Sequence, residues 1–379
     1  MRFILIGNYP PDRQESMKKY TLNLCENIIQ NGVEAEVWYP TVFFGAGSNN
    51  TTSGIAKWLG YIDKWILFPL ILRMKVLFKR DSANHRTIYH VCDHSNSPYL
   101  QSLPKDRSGI TCHDVLAIRG ALGYKDAYCP ATSTGKILQK WILKNLKKAK
   151  VLTAVSELTM GQLKDLYGKT LPEDYKWKVI HNSFNAHFWP MEVSARTEMI
   201  AAAGIPVNMP FVLHVGSSLP RKNRKMLLDM VDQLGQNWQG LICFAGQPIN
   251  EELKLKAESL GLTDRVISVV KPEHGMLVAL YSACEVFVFP SYSEGFGWPL
   301  IEAQACGTPV LASDVDPMPE VSNGSAIHAN PDDARAFANA LQEILIPARR
   351  AEMVAAGFLN AARFDSRVLA KDFINLYMN

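Results

Sequence analysis

No two of the seven cysteines stand in a Cys-x-x-Cys spacing, and they are scattered singly from Cys25 to Cys306. That pattern excludes a disulfide framework and a thiolate zinc site, and it points to reduced thiols in a cytoplasmic protein. Long hydrophobic runs are lacking as well. The longest, WILFPLIL from Trp65 to Leu72, is far short of a bilayer span. The opening stretch MRFILIGNYPP has a short apolar segment and no small-residue cleavage site, so a secretory signal is not expected. Charge of one sign is missing too: a net +4 over 379 residues is too weak to call for nucleic acid. There is no repeat and no low-complexity segment. What remains is the composition of a soluble globular protein, 47% hydrophobic and 20% charged. Its length exceeds what one core usually organises, which predicts two domains.

The strand and helix signals come in two series. In the first, the apolar runs RFILIG, EAEVWY, RTIYHV, SGITCHD, KVLTAVS and KWKVIHN are separated by helical or loop stretches. Near residue 200 the rhythm restarts with PFVLHVG, QGLICFAG, DRVISVV, CEVFVFP and GTPVLAS. Alternation of this kind predicts an α/β fold with parallel, doubly wound sheets. The boundary falls in a proline-bounded segment, giving domains 1–195 and 196–363, with a final helix at about 364–379 that packs back on the first. Two such domains are expected to hold a ligand in a cleft at the carboxyl ends of their strands.

One stretch concentrates chemistry. SEGFGWPLIEAQACGTPV (293–310) follows the run CEVFVFP, places Glu294 in the loop and Glu302 one turn into a helix, and sets Pro299 in that helix's first turn. The N–H groups of Gly295, Phe296, Gly297 and Trp298 at the helix start suit an anion such as a diphosphate. Carboxylates accept hydrogen bonds from vicinal diols. A ligand with diols at both ends and phosphate between them is a nucleotide sugar. From spacing alone, a solvated loop acid and a helix-surface acid fit equally well.

This stretch resembles the family-4 retaining glycosyltransferases of the two-domain GT-B fold, whose signature is a pair of glutamates with seven residues between them. VLHVGSSLPRKN (including Gly216), LTAVSELTMGQLKDLYG, KVIHNSFNAHFWP, LYSACEVFVFPS, LASDVDPMPEVSNGSAI, TCHDVLAIR and the ARFDSRVLAKDF tail match the family's other motifs in order. The resemblance implies that Glu302 holds the ribose hydroxyls and that Glu294 contacts the donor sugar near its reacting face. It also implies that Arg221 and Lys222 neutralise the departing diphosphate in place of a metal, and that His113 sits near sugar and acceptor. Independently, fixed cations and helix dipoles stabilise charge that develops on a leaving phosphate, and arginine grips a phosphate bidentately.

The chain departs from the family in places. Ser217 stands where some relatives carry a phosphate-binding arginine, and Gln14, Glu15 and Ser16 replace a Gly-Gly pair in the first loop. Trp298 replaces a leucine, as a donor-pocket wall or as plain packing. Asp314 and Asp316 form an Asp-x-Asp, but they match a non-metal loop of the family, so no metal and no cofactor are expected. His113 is the active-site candidate of the first domain, with a core histidine bonded to Asp114 or backbone as the plain alternative. Asp93, Asn96, Asp114 and Tyr99 are acceptor-side candidates. KWLGYIDKWILFPLILRMKVLFKR (57–80) and GKILQKWILKNLKKAK (135–150) are basic and amphipathic. Either could lie on an anionic membrane surface or pack as an ordinary core helix.

The expectation is a cytoplasmic enzyme, peripheral at the inner membrane face if those helices engage lipid. It transfers a hexose of mannose or glucose type from a nucleotide sugar to a saccharide or lipid-linked acceptor, in cell-surface polysaccharide or glycan synthesis. GDP-mannose stands beside UDP- and ADP-linked donors. The alternatives are a non-catalytic nucleotide-sugar-binding subunit and a GT-B relative such as a sugar-nucleotide epimerase.

Overall fold

The computed structural model describes residues 1–47, 51, 54–79 and 86–378. The chain divides into two units: Met1–Ala186 together with the segment from Asp365 onward, and His187–Phe364.

In the first unit, strands β1 (Arg2–Ile6), β2 (Glu34–Trp38), β3 (Thr87–Val91), β4 (Ser108–Cys112), β5 (Val151–Ala154) and β6 (Lys176–Val179) form one sheet in the order β2-β1-β3-β4-β5-β6. Every pairing is parallel. Strand β1 shows why its sequence is an unbroken apolar run. Ile4 and Ile6 enter one core cluster with Tyr89 and Ile110, while Phe3 and Leu5 enter another with Ile88 and Phe373. Side chains alternate faces along a strand, so both faces of this sheet are covered. The terminal helix Ser366–Met378 supplies part of the second cluster. Its Tyr377 hydroxyl lies 2.5 Å from His90 Nδ1, and His90 Nε2 lies 2.8 Å from Thr111 Oγ1. Gly109 makes this contact possible, since a Cβ there would stand 2.0 Å from the Tyr377 hydroxyl.

In the second unit, β7 (Phe211–Gly216), β8 (Leu241–Gly246), β9 (Val266–Val270), β10 (Val286–Phe289), β11 (Val310–Ser313) and β12 (Ile327–Ala329) form a second sheet, ordered β12-β11-β10-β7-β8-β9. Its pairings are parallel too. Strand β12 goes unread in the sequence because it is three residues long and has a histidine at its centre.

Strand order reverses at β7 and β10 in the second unit, and at β1 and β3 in the first. Loops leaving the carboxyl ends of such a strand pair run to opposite sides and open a crevice between them. Arg221, Lys222 and Glu294 fall on the loops of the second-unit pair, and Asp93 and Asn96 on the loop beyond β3, while His113 and Asp114 follow β4.

Candidate active site

Strand β10 is wholly buried and delivers the chain to Pro290. The loop beyond it meets the loop that leaves β7. The Tyr292 amide donates to the Arg221 carbonyl at 2.8 Å. Arg221 Nη1 donates to the Ser293 carbonyl and to Glu294 Oε2, both at 2.8 Å. Lys222 Nζ stands 2.6 Å from Glu294 Oε1 and 5.2 Å from the centre of the Phe289 ring. Glu294 and Lys222 are buried, and Arg221 retains some exposure. Two cations from one loop thus hold the two oxygens of one carboxylate from the other. Burial pushes the Glu294 carboxyl up, but the Lys222 and Arg221 charges outweigh it, so its pKa lies below the ordinary glutamate value.

Local sequence explains the geometry. Pro220 opens a short 3-10 turn over Pro220–Lys222, closed by Asn223 in the left-handed region at φ 48°. Asparagine tolerates that conformation better than most residues. Gly216 ends β7, and a Cβ there would come within 3.7 Å of the Lys222 stem. Gly297 caps the helix Trp298–Ala305 at φ 104°, where an added Cβ would lie 3.2 Å from the Phe289 ring. Only glycine enters that region without strain.

Glu302 lies in the first turns of that helix and is buried. Its Oε2 accepts the Tyr281 hydroxyl at 2.9 Å. Burial, then the Glu302 charge, holds the Tyr281 phenol well above its usual range, so it remains a donor. Of the other donor-side candidates, Phe296 is buried, its ring packing edge-on against Trp298 at 6.0 Å and Phe364 at 5.6 Å. The Phe296 side chain therefore serves packing.

Two residues of this site were not singled out in the sequence. Tyr281 is one. His214 is the other: it lies on β7, fully buried, with Nδ1 3.1 Å from the Val288 carbonyl oxygen. A carbonyl can only accept, so the proton sits on Nδ1. Nε2 has no hydrogen-bond partner among the described residues. Burial, reinforced by the Lys222 charge, drives its pKa down to about 3, and the imidazole is neutral. The signal was present as a histidine in the middle of the apolar run FVLHVG.

The first unit gathers its own polar cluster where β1 and β3 end. Asn8 Nδ2 donates to Asp93 Oδ2 at 2.6 Å, and Asn96 Nδ2 donates to Asn8 Oδ1 at 3.1 Å. Asp93 Oδ1 also accepts the Ser95 amide at 2.9 Å. Burial raises the Asp93 pKa, but His94, His113 and these donors together bring it below the ordinary value. His113, past β4, places Nε2 2.9 Å from the Cys92 carbonyl oxygen and packs edge-on to Tyr20 at 4.5 Å. Burial lowers its pKa and favours the neutral ring. Asp114 accepts the Leu116 amide at 3.0 Å. Asp93, Asn96 and His113 thus border one corner of the sheet. Tyr99 does not, contrary to expectation: it is fully buried between Trp65 and Phe68. Its place on the turn of His94–Ser102 directs it inward.

Residues 195–357, all within the second unit, match the family model described as glycosyl transferases group 1. The O-antigen chain mannosyltransferase RfbU of Salmonella typhimurium is 27% identical over 74% of this chain and 70% of its own length. The D-inositol 3-phosphate glycosyltransferase of Mycolicibacterium smegmatis is 28% identical over 87% of this chain and 78% of its own. Among solved structures, a sucrose-phosphate synthase from Thermosynechococcus elongatus superposes over 100% of this chain and 98% of its own, with TM-score 0.75 and 22% identity. That likeness establishes the fold as GT-B. The second unit thus matches the glycosyl transferases group 1 model over most of its length, and the chain is a glycosyltransferase.

Proposed function

We propose that the enzyme transfers a hexose of mannose or glucose type from a nucleoside-diphosphate sugar, with retention of configuration and without a metal. The acceptor in this reading is a saccharide or a lipid-linked saccharide of a cell-surface polysaccharide, handled at the cytoplasmic side of the membrane. The carrying observation is the meeting of Arg221, Lys222 and Glu294 at the loops beyond β7 and β10, beside the start of the Trp298–Ala305 helix. A diphosphate is the ligand that two fixed cations and a helix N-terminus suit together. The mannosyl assignment leans on the likeness to the Salmonella O-antigen chain mannosyltransferase.

In the proposed step, the acceptor oxygen attacks the anomeric carbon on the face from which the phosphate leaves. The bond from that carbon to the phosphate oxygen breaks, its electron pair stays on the diphosphate, and that oxygen takes the acceptor proton. Arg221 and Lys222 offset the charge that develops there. Glu302, oriented by Tyr281, holds the ribose hydroxyls, and Glu294 lies against the sugar. Asp93, Asn96 and His113 are the acceptor-side groups of this proposal.

The test is a donor panel of GDP-, UDP- and ADP-linked hexoses with product analysis by NMR. One donor should be consumed with its anomeric configuration kept. An inverted product, or a requirement for a divalent cation, would overturn the mechanism.

A further inference from the structure

Of the two basic amphipathic stretches in the sequence, the structure separates one from the other. The helix Ser133–Leu146 turns Ile142 and Leu146 into the core, and its Trp141 packs edge-on against Trp65 at 5.2 Å. It is a packing helix. The continuous helix that runs through Gly54–Ile62, Asp63–Leu67 and Phe68–Phe78 is different. Phe68 and Leu72 face inward and are fully buried. On the outer side Ile55, Trp58, Ile66, Leu70, Met74 and Leu77 are between 54% and 80% exposed. Their spacing is that of one helical face. Residues four apart drift by about 40° around a straight α-helix, which would wind this row out of line. The π turn at Asp63–Leu67, closed by Phe68 N–H to the Asp63 carbonyl, inserts one residue and sets the row back.

Charge selects what covers the row. The only acid from Gly54 to Lys79 is Asp63, which is fully buried. Lys57 is half-buried, while Arg73 and Lys75 are exposed. Arg80, the last cation of the sequence pattern, lies outside the described residues. A second copy of this chain meeting the face about a two-fold axis would set cations against cations, since Glu36, the acid that borders Met74 and Lys75, is already paired with Arg2 and Lys79. An anionic lipid surface supplies the missing charge and accepts the apolar row.

The helix is also tied to the acceptor-side corner. Asp63 accepts the Tyr9 hydroxyl at 2.6 Å and the amides of Phe43, Phe44 and Gly45 at 3.0 Å each. Lys64 pairs with Asp12 at 2.7 Å. Tyr9 and Asp12 belong to the loop whose Asn8 holds Asp93. Phe43 and Phe44 are themselves exposed, adding apolar surface beside the anchor point.

We propose that the outer face of Gly54–Phe78 lies in the interface of an anionic bilayer and holds the loop from Asn8 to Asp12 at the lipid surface. This deepens the membrane-side reading above and rests on it. The purified enzyme, mixed at low salt with vesicles of phosphatidylglycerol and phosphatidylcholine, should sediment with them at least about tenfold more than with pure phosphatidylcholine. Leu70→Glu with Leu77→Glu should abolish the sedimentation, and Arg73→Ala should weaken it by about fivefold. All variants should keep wild-type melting and wild-type donor turnover on a soluble acceptor, which separates this proposal from the reading of the site. Equal binding to both vesicle types would overturn it. So would failure to bind either, whether the chain then sediments alone as a monomer or as a dimer that the Leu70 and Leu77 changes dissociate.

Discussion

Glu294 holds Arg221 and Lys222 at once, so any diphosphate must share those cations with a buried carboxylate. Lys222→Ala should lower kcat by about 10² to 10³, the loss typical of one preorganised charge. Single-turnover kinetics on the preferred donor would check it. Glu294→Gln keeps the shape while removing the charge. It should reduce turnover far more than nucleotide affinity, whereas Glu302→Gln should chiefly weaken nucleotide binding. Calorimetry beside kinetics distinguishes the two, and comparable losses for both variants would refute the division of roles. Tyr281→Phe removes the donor that orients Glu302, and nucleotide affinity should fall by about fivefold, the value of one hydrogen bond of about 1 kcal/mol. The Glu294 pair also has a pH signature. A carboxyl whose pKa is depressed on folding gives stability that is complete above its unfolded pKa and lost as pH falls through the folded one. Below about pH 4.3, the ordinary glutamate value, the melting temperature of the wild type should therefore fall more steeply than that of Glu294→Gln.

At the scale of elements, the loops beyond β7 and β10 owe their shape to a few backbone positions. Gly297→Ala would place a Cβ at φ 104° and 3.2 Å from Phe289. It should destabilise by about 1–3 kcal/mol, read by urea denaturation, and it should also displace the amides at the helix start. The terminal helix is equally specific. Tyr377→Phe leaves His90 Nδ1 without its partner in a fully buried place, for a loss of about 1–3 kcal/mol. A variant as stable as the wild type would mean that the contact contributes nothing. Elements of this kind were legible to different degrees. The central strands declared themselves as apolar runs buried on both faces, as in β1, β3 and β10, whereas the three-residue β12 did not. The Trp298–Ala305 helix did so through Pro299 near its start and Gly307, at φ 78°, just past its end. The π turn at Asp63–Leu67 did not, because the Asp63 carboxylate that opens it finds its partners, Tyr9 and three amides, far off in sequence.

For the molecule as a whole, the sequence by itself determined two parallel α/β sheets, the acid pair and the basic turn, since each rests on short-range pattern: apolar runs, capping residues and spacing along one loop or helix. It could not determine which side chains meet. That Arg221 and Lys222 close on Glu294, that neutral His214 lies beneath them, that Tyr281 orients Glu302, and that Asn8 joins Asp93 all depend on where strand order reverses in each sheet. The same holds for Tyr99, whose sequence position at a strand end suggested the site and whose packing put it in the core. Two basic amphipathic helices read alike in one dimension. Only tertiary packing decided that Ser133–Leu146 spends its apolar face on the core while the helix through Gly54–Phe78 keeps a second one outside, because burial is a property of neighbours and not of the chain that meets them.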